Sequence, residues 1–196
     1  VELNPANVVA RLWGASSLTF AGIFDEANEW LERARLLDPL SPYAGALSAY
    51  SYLMQFRDET ALECCETALK LNPDYPVALY FSAACFMRHG RHDGAIRAIE
   101  QAVAIVGRLP FYLGWLGWVY ASTGRTDEAR AIREELLQRA ETECVLQTSR
   151  AWVHGGLGEF DEAFACLDEA VRDLEPLVAT VHLPPFDPLR DDPRFA

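Results

Sequence analysis

Small apolar residues return in one register every thirty-four residues along this chain. Short sequences rich in acids precede them and repeat as GIFDEA, FRDETA, GRHDGA, GRTDEA and GEFDEA, ending at Ala27, Ala61, Ala95, Ala129 and Ala163. A second small residue follows seven positions later at Ala34, Ala68, Ala102 and Ala170, with Leu136 in the fourth unit. Seven positions span two turns of one helical face, so the pattern predicts helices that a neighbour approaches closely. A period of this length is typical of repeat arrays, in which each unit buries the face of the next.

Each unit is predicted to hold two helices around a short turn. Glycine occupies the turn in four units, at Gly22, Gly90, Gly124 and Gly158. Glycine suits the left-handed conformation that often ends a helix. Phe56 replaces it in the second unit, so we expect that turn to differ. An acid follows three residues later, at Asp25, Glu59, Asp93, Asp127 and Asp161. We expect these acids to cap the second helices and to lie near the positive ends of their dipoles.

The register divides the chain into five units, at 8–41, 42–75, 76–109, 110–143 and 144–177. Residues 1–7 are interpreted as the end of a preceding repeat, because Leu3-Asn4-Pro5 matches Leu71-Asn72-Pro73. Residues 178–196 break the period and are predicted to form a capping segment. Its Asp187-Pro188 and Asp192-Pro193 pairs predict two short helical starts. We expect its apolar side chains to cover the open end of the array, namely Phe186, Leu189 and Phe195.

Further positions agree with this register. They are small residues in the first helices (Ala15, Ala49, Ala83, Gly117 and Ala151), larger ones three residues on (Leu18, Tyr52, Phe86 and Tyr120), and Pro39 and Pro73 at unit ends. With the recurring alanines, they resemble the tetratricopeptide repeat. The resemblance implies an all-α fold, a right-handed α-solenoid of five helix pairs with a concave groove and a short C-terminal cap. The fourth unit departs from the pattern at Arg133, Leu136 and Glu141, so we expect its second helix to be exposed differently or to bend the stack.

The closing segment resembles the end of tetratricopeptide arrays in bacterial signalling and regulatory proteins. These include adenylate cyclases, serine/threonine kinases and winged-helix regulators. The resemblance implies an effector domain on the N-terminal side of Val1.

Charge and cysteine content exclude several classes of partner. The chain has 29 acids against 17 bases, a net charge of −12, which argues against nucleic acid and against a polybasic membrane contact. The uncharged stretch 109–124 contains Pro110, lies in register and is interpreted as a buried helix. Five cysteines without metal-type spacing favour buried free thiols in a reducing compartment, so we expect a cytoplasmic protein.

No catalytic, cofactor or metal site is predicted. His89 and His92 straddle Gly90 rather than sharing one helix face, and His154 takes a packing position as a satisfied core histidine. The glycines after His154 lack the Lys-Ser/Thr ending of a phosphate loop. No nucleophile is paired with a base, so we expect no enzyme, no cofactor and no metal.

The resemblance implies that the first helices line the concave groove. The candidate groove residues are mostly aromatic: Trp13, Tyr43, Tyr50, Tyr80, Arg88, Phe111, Trp118 and Trp152. We expect Tyr43, Tyr50, Tyr80 and Trp118 to be exposed there, while most other rings pack in the core. Aromatic anchors suit an apolar peptide or helix, and Arg88 could orient a carboxylate or phosphate. Lys and Asn, with which some arrays clamp a chaperone's C-terminal carboxylates, are absent from this face.

These observations favour a non-catalytic protein- or peptide-binding scaffold within a larger bacterial regulatory protein. One alternative is self-association as a homodimer, or intramolecular docking that controls an N-terminal effector domain. A second alternative is a small-molecule sensor whose groove closes on an aromatic or lipid-like ligand.

Overall fold

The computed structural model describes residues 7–195, so the prediction made for Leu3-Asn4-Pro5 lies outside the described residues. This part of the chain forms ten α-helices, with no strand between residues 7 and 195. They are α1 (Val8–Phe20), α2 (Phe24–Leu37), α3 (Pro42–Met54), α4 (Asp58–Leu71), α5 (Pro76–Arg88), α6 (His92–Val106), α7 (Pro110–Ser122), α8 (Thr126–Ala140), α9 (Gln147–Leu157) and α10 (Phe160–Arg172). Three 3-10 helices follow, at Pro176–Thr180, Pro184–Leu189 and Pro193–Phe195.

Consecutive helices pack as five pairs, and the pairs stack into the expected all-α solenoid. The alanines that mark the register lie at the contacts between helices. Ala27, Ala61, Ala95, Ala129 and Ala163 all have 0% of their surface exposed. The thirty-four-residue register therefore specifies the places where helices approach most closely.

Local sequence signals set where the first helices begin. Asn7 caps α1, because its side-chain oxygen accepts a hydrogen bond from the Ala10 amide at 2.9 Å. Ser41 caps α3 in the same way. The helices α3, α5 and α7 begin with proline, whose missing N–H is not needed at a first helical position.

The turn of the second pair does not differ from the others. The four turn glycines adopt positive φ angles as predicted, and Phe56 adopts the same left-handed conformation with φ 57°. The expectation of a different turn at Phe56 is therefore wrong. A left-handed phenylalanine is strained, and contacts to its ring offset that strain. The Arg88 guanidinium lies 4.7 Å from the ring centroid, and the His182 ring lies 5.3 Å from it.

The acids after the turns do not cap the second helices. Each lies at the second helical position, as Asp25 does in α2, and none of the residues before these helices makes a side-chain capping bond. An acid already inside the helix cannot act as the residue that precedes it. Its carboxylate still lies near the positive end of the dipole, as expected.

The second helix of the fourth pair is exposed differently, as expected. Ile132 of α8 is buried, whereas Arg133, at the register position of the buried Ile99, is only half-buried. The first helix of this pair also packs unusually tightly. A Cβ atom built at Gly117 would lie 2.7 Å from Cγ2 of Val153 in α9. Glycine at this position therefore permits the close approach of α7 and α9.

Residues 176–195 form what we call the C-terminal segment. Asp192 starts its last 3-10 helix as predicted and accepts a hydrogen bond from the Arg194 amide at 3.0 Å. The Asp187-Pro188 prediction is wrong, because the preceding 3-10 helix already begins at Pro184. Two consecutive prolines fix φ at values that suit a helical start, so this helix begins before Asp187. As expected of a cap, Leu189 is fully buried against Phe164 of α10.

Candidate binding cavity on the concave face

The C-terminal segment also returns to the second and third pairs. His182 donates a hydrogen bond from Nδ1 to the Met54 carbonyl oxygen at 2.9 Å. Arg88 donates to the His182 carbonyl oxygen, and its Nε lies 3.5 Å from a carboxylate oxygen of Asp187. The segment therefore crosses the C-terminal ends of α3 and α5, beyond the end of the stack that it was expected to cover.

A cavity of about 280 Å³ lies between the first helices and this segment. All five first helices contribute to its walls, because the solenoid turns the same face of each toward one side. The walls are formed by Ser16, Phe20, Tyr43, Leu47, Tyr50, Val77, Tyr80, Phe81, Phe111, Trp115, Trp152, Leu177, Thr180 and Leu183.

Aromatic rings run through these walls as a continuous row. Neighbouring ring centroids in it are 4.2–6.0 Å apart, the range of favourable aromatic contacts. The row comprises Phe20, Tyr50, Phe81, Tyr80, Trp115, Trp152 and Phe186. It connects the first pair to Phe186 of the C-terminal segment, and all its rings except Phe186 form part of the mostly apolar cavity walls.

The polar groups in these walls are neutral. Burial raises the pKa of the Tyr50 and Tyr80 hydroxyls, so both keep their protons at neutral pH. Three buried polar atoms of the walls have no hydrogen-bond partner within residues 7–195: Tyr50 Oη, Trp115 Nε1 and Trp152 Nε1. All three can donate a hydrogen bond.

The structure brings five of the eight predicted groove residues to this cavity: Tyr43, Tyr50, Tyr80, Phe111 and Trp152. Trp13 does not line it and lies 65% exposed on α1. Arg88 and Trp118 lie beside a neighbouring depression that Pro184 and Pro188 also border.

The predicted exposure of two rings is wrong. Tyr50 is 6% exposed and Trp118 is 3% exposed. Tyr50 is held between Phe20 and Phe81, at centroid distances of 5.5 and 5.7 Å. Trp118 packs edge-on against Trp115 and is approached by α9 at Gly156. Tyr43 and Tyr80 are half-buried.

Arg88 serves the fold of this chain. Its guanidinium donates to Asp58 at 2.9 Å and to the Leu53 carbonyl oxygen at 3.3 Å, and it also holds the C-terminal segment. Its side chain is 11% exposed. Its positive charge is therefore matched by carboxylates of its own chain.

The candidate list omitted several wall residues. Trp115 was not among the eight candidates, Leu177 was expected to end the fifth unit, and Thr180 and Leu183 belong to the segment expected only to cap the array. The one local signal for them is the apolar run around Leu183-Pro184-Pro185-Phe186, which is too rich in large side chains for a solvated tail.

The other candidate chemistry lies elsewhere. His154 is buried, with Nδ1 2.7 Å from Glu159 Oε2, as expected for a satisfied core histidine. Cys65, Cys85 and Cys166 are buried free thiols, whereas Cys144 is exposed. Within residues 7–195 no group of three or more metal-ligating side chains is assembled. In the same part of the chain, no helix is both long enough and apolar enough to span a bilayer.

Comparison with known proteins identifies the architecture. One family model of the tetratricopeptide repeat matches residues 49–112, and a second matches residues 110–135 and 145–169. Together the matches cover more than half of the chain. The chain belongs to the tetratricopeptide-repeat family. Such proteins are generally scaffolds that bind proteins or peptides, and the repeat is typically non-catalytic.

Solved tetratricopeptide-repeat structures share this fold. A thermophilic protein of this family from Thermus thermophilus superposes with a TM-score of 0.68 at 24% identity, over 89% of this chain and 97% of that one. YrrB, described as having an unusual peptide-binding site, superposes with a TM-score of 0.56 at 17% identity, over 93% of this chain and 94% of that one. The first repeat domain of Spaghetti, bound to an HSP90 peptide, superposes with a TM-score of 0.52 at 19% identity, over 68% of this chain and 96% of that one. No curated protein sequence matches this chain significantly.

Proposed function

We propose that this chain is a non-catalytic peptide-binding scaffold that receives an apolar segment of a partner protein in the concave cavity. The observation that carries the proposal is the continuous aromatic row along the walls of a single cavity. Aromatic side chains contribute most of the binding energy in many interfaces, because they bury large areas and lose little conformational freedom.

The charge of the cavity favours an uncharged anchor. Among residues 7–195 no charged side chain lines it, and Arg88 is already paired with Asp58 and Asp187. A partner carboxylate placed there would lose its hydration without gaining a countercharge. The peptide-bound Spaghetti structure and the peptide-binding site of YrrB support peptide recognition by this fold. We therefore infer a partner whose anchoring residues are apolar.

The wider setting belongs to the same proposal. The resemblance of the closing segment to arrays of bacterial regulatory proteins supports a role as one module of a larger cytoplasmic regulator. The net charge of −12 makes nucleic acid and anionic membrane unsuitable partners.

A charge placed at the rim of the cavity tests the proposal. Phe20 lines the cavity and is 42% exposed, so Phe20→Glu should leave the fold intact and weaken binding of blocked hydrophobic peptides at least about tenfold. Phe160→Glu is the matched control, since Phe160 is 37% exposed and lies outside the cavity. If both variants bind these peptides as tightly as the unsubstituted chain, the cavity is not the binding site.

One observation favours self-association as a second candidate function. Val9 and Trp13 lie one helical turn apart on α1 and are 60% and 65% exposed. Paired apolar side chains of this size suit an interface between two copies. Light scattering tests this: a dimer that Trp13→Ala converts to a monomer supports it, and a monomer at every concentration contradicts it.

A further inference from the structure

The C-terminal segment occupies part of the groove that the sequence assigns to a partner. Of the eight predicted groove residues, three contact this segment or border a depression with it. The Trp152 ring packs edge-on against Phe186, with the ring centroids 6.0 Å apart. Arg88 and Trp118 border the depression that Pro184 also lines. A partner that used these residues would therefore meet the chain's own segment.

Arg88 holds this segment by contacts that a bound peptide can also make. Its guanidinium donates to the His182 carbonyl oxygen, and its Nε lies 3.5 Å from a carboxylate oxygen of Asp187. Every peptide has backbone carbonyls, and arginine is well suited to carboxylates. Between these two residues, Leu183 forms part of the cavity wall. Residues 182–188, which we call the crossing residues, are therefore seated in the groove in the manner of a ligand.

The segment is attached to the array on both sides of the crossing residues. Glu175, directly before the segment, accepts hydrogen bonds from the Gln147 and Thr148 amides at 2.7 and 3.0 Å. Leu189, directly after the crossing residues, is fully buried against Phe164. None of these five residues lines the cavity. The crossing residues can therefore leave the groove while the segment stays attached at both ends.

Most of the hold on the crossing residues is apolar. Phe186 is 1% exposed, so almost its whole ring is removed from water. The Asp187 side chain is 39% exposed, and an ion pair of this exposure adds little. An occupant that replaces the crossing residues therefore needs a large apolar side chain, with a carboxylate beside it as a weaker contribution. That carboxylate contacts Arg88, which does not line the cavity, so the anchor inside the cavity stays uncharged.

We propose that the crossing residues are an internal ligand of the concave groove, and that a partner segment with a large apolar side chain followed by a carboxylate displaces them. This rests on the proposed peptide-binding function and adds the chemistry of the partner segment and a control on its binding. The attached segment stays near the groove, so a partner competes with a high effective concentration of it. The groove is therefore closed to weak ligands and opens only to a segment that competes successfully with the crossing residues.

A blocked peptide of residues 182–188 tests the proposal on the full chain. When this peptide saturates the unsubstituted chain, the chain's own Phe186 amide should exchange at least about tenfold faster. The reason is that the displaced segment loses the hydrogen bond from this amide to the Leu183 carbonyl oxygen. A segment that is only a wall of the cavity should exchange more slowly when the cavity is filled. Hydrogen exchange followed by NMR distinguishes the two.

Loosening the crossing residues should strengthen peptide binding. His182→Ala removes the hydrogen bond to Met54, and docking of the segment and binding of the peptide exclude each other. Docking that is about tenfold weaker should therefore tighten peptide binding by up to about tenfold. His92→Ala is the control, since His92 is exposed and does not line the cavity. Within the peptide, Phe186→Ala should weaken binding at least about tenfold, and Asp187→Asn about twofold to fivefold.

The outcomes separate this proposal from the function on which it rests. If Phe186 exchange is unchanged or slower in the bound chain, the segment is a fixed wall and the internal ligand is overturned. It is also overturned if His182→Ala loosens the segment without tightening peptide binding. If neither substitution in the peptide weakens binding, the stated chemistry of the partner segment is overturned. If the 182–188 peptide does not bind but blocked hydrophobic peptides do, only this proposal is overturned; if neither kind binds at millimolar concentration, the proposed function is overturned as well.

Discussion

The imidazole Nδ1 of His182 lies 2.9 Å from the carbonyl oxygen of Met54, a residue 128 positions earlier in the chain. Met54 ends α3, so its carbonyl has no partner within that helix. The bond therefore satisfies a helix end and fixes the C-terminal segment on the concave face.

Removing this bond should loosen the C-terminal segment selectively. In His182→Ala we expect the Phe186 amide, which donates to the Leu183 carbonyl oxygen, to exchange about tenfold faster. Amides in the middle of α5 and α7 should keep their protection. Hydrogen exchange followed by NMR measures this, with the exposed His92→Ala as control. Unchanged exchange at Phe186 would show that other contacts hold the segment.

Phe56 combines backbone strain with a stabilising ring. Phe56→Gly removes both, whereas Phe56→Ala removes the ring and keeps a side chain at φ 57°. We therefore expect the glycine variant to be more stable than the alanine variant by about 1 kcal/mol in urea denaturation. At the neighbouring Gln55, which has φ −93°, the alanine variant should be at least as stable as the glycine variant. If the glycine variant is the more stable at both positions, or the alanine variant is at both, the result would argue against strain at Phe56.

The close approach of α7 and α9 depends on the missing side chain at Gly117. Gly117→Ala should lower the free energy of unfolding by about 1–3 kcal/mol, because its Cβ would overlap Val153. Val153→Ala removes the overlapping atoms, so the double variant should be at least about 0.5 kcal/mol more stable than the sum of the single effects. If the losses of unfolding free energy in the two single variants simply add in the double variant, residues 117 and 153 are not in the close contact described.

His89 should titrate above its ordinary value of 6.5, because the Cys85 carbonyl oxygen and Glu59 both favour its protonated form. A raised pKa in the folded state means that this stabilisation is fully present below pH 6.5 and is lost as pH rises through the raised value. An NMR titration should show a midpoint above 6.5, and Glu59→Gln should lower it only partly. A midpoint at or below 6.5 in the unsubstituted chain would contradict the contacts.

Periodicity was sufficient to predict the solenoid, since helix pairing repeats with the register and depends on neighbours in sequence. It identified Tyr43, Tyr80 and Trp152 as cavity residues for the same reason. It did not predict the burial of Tyr50 and Trp118, which share one register position, because the packing of neighbouring helices over that position is not visible in a single helix pattern. Periodicity also did not predict the path of the C-terminal segment, because the contact between His182 and Met54 has no local sequence signal.

The bond between His182 and Met54 changes how the array should unfold. In an open solenoid each repeat contacts only its neighbours, so the ends can fray independently. Here the C-terminal segment joins the last repeat to the second and third, and detaching one end removes contacts from the middle. Loss of structure should therefore be concerted instead of progressing from the C-terminus. Folding should also be slower than in an open array of equal length, because a contact across 128 residues must form.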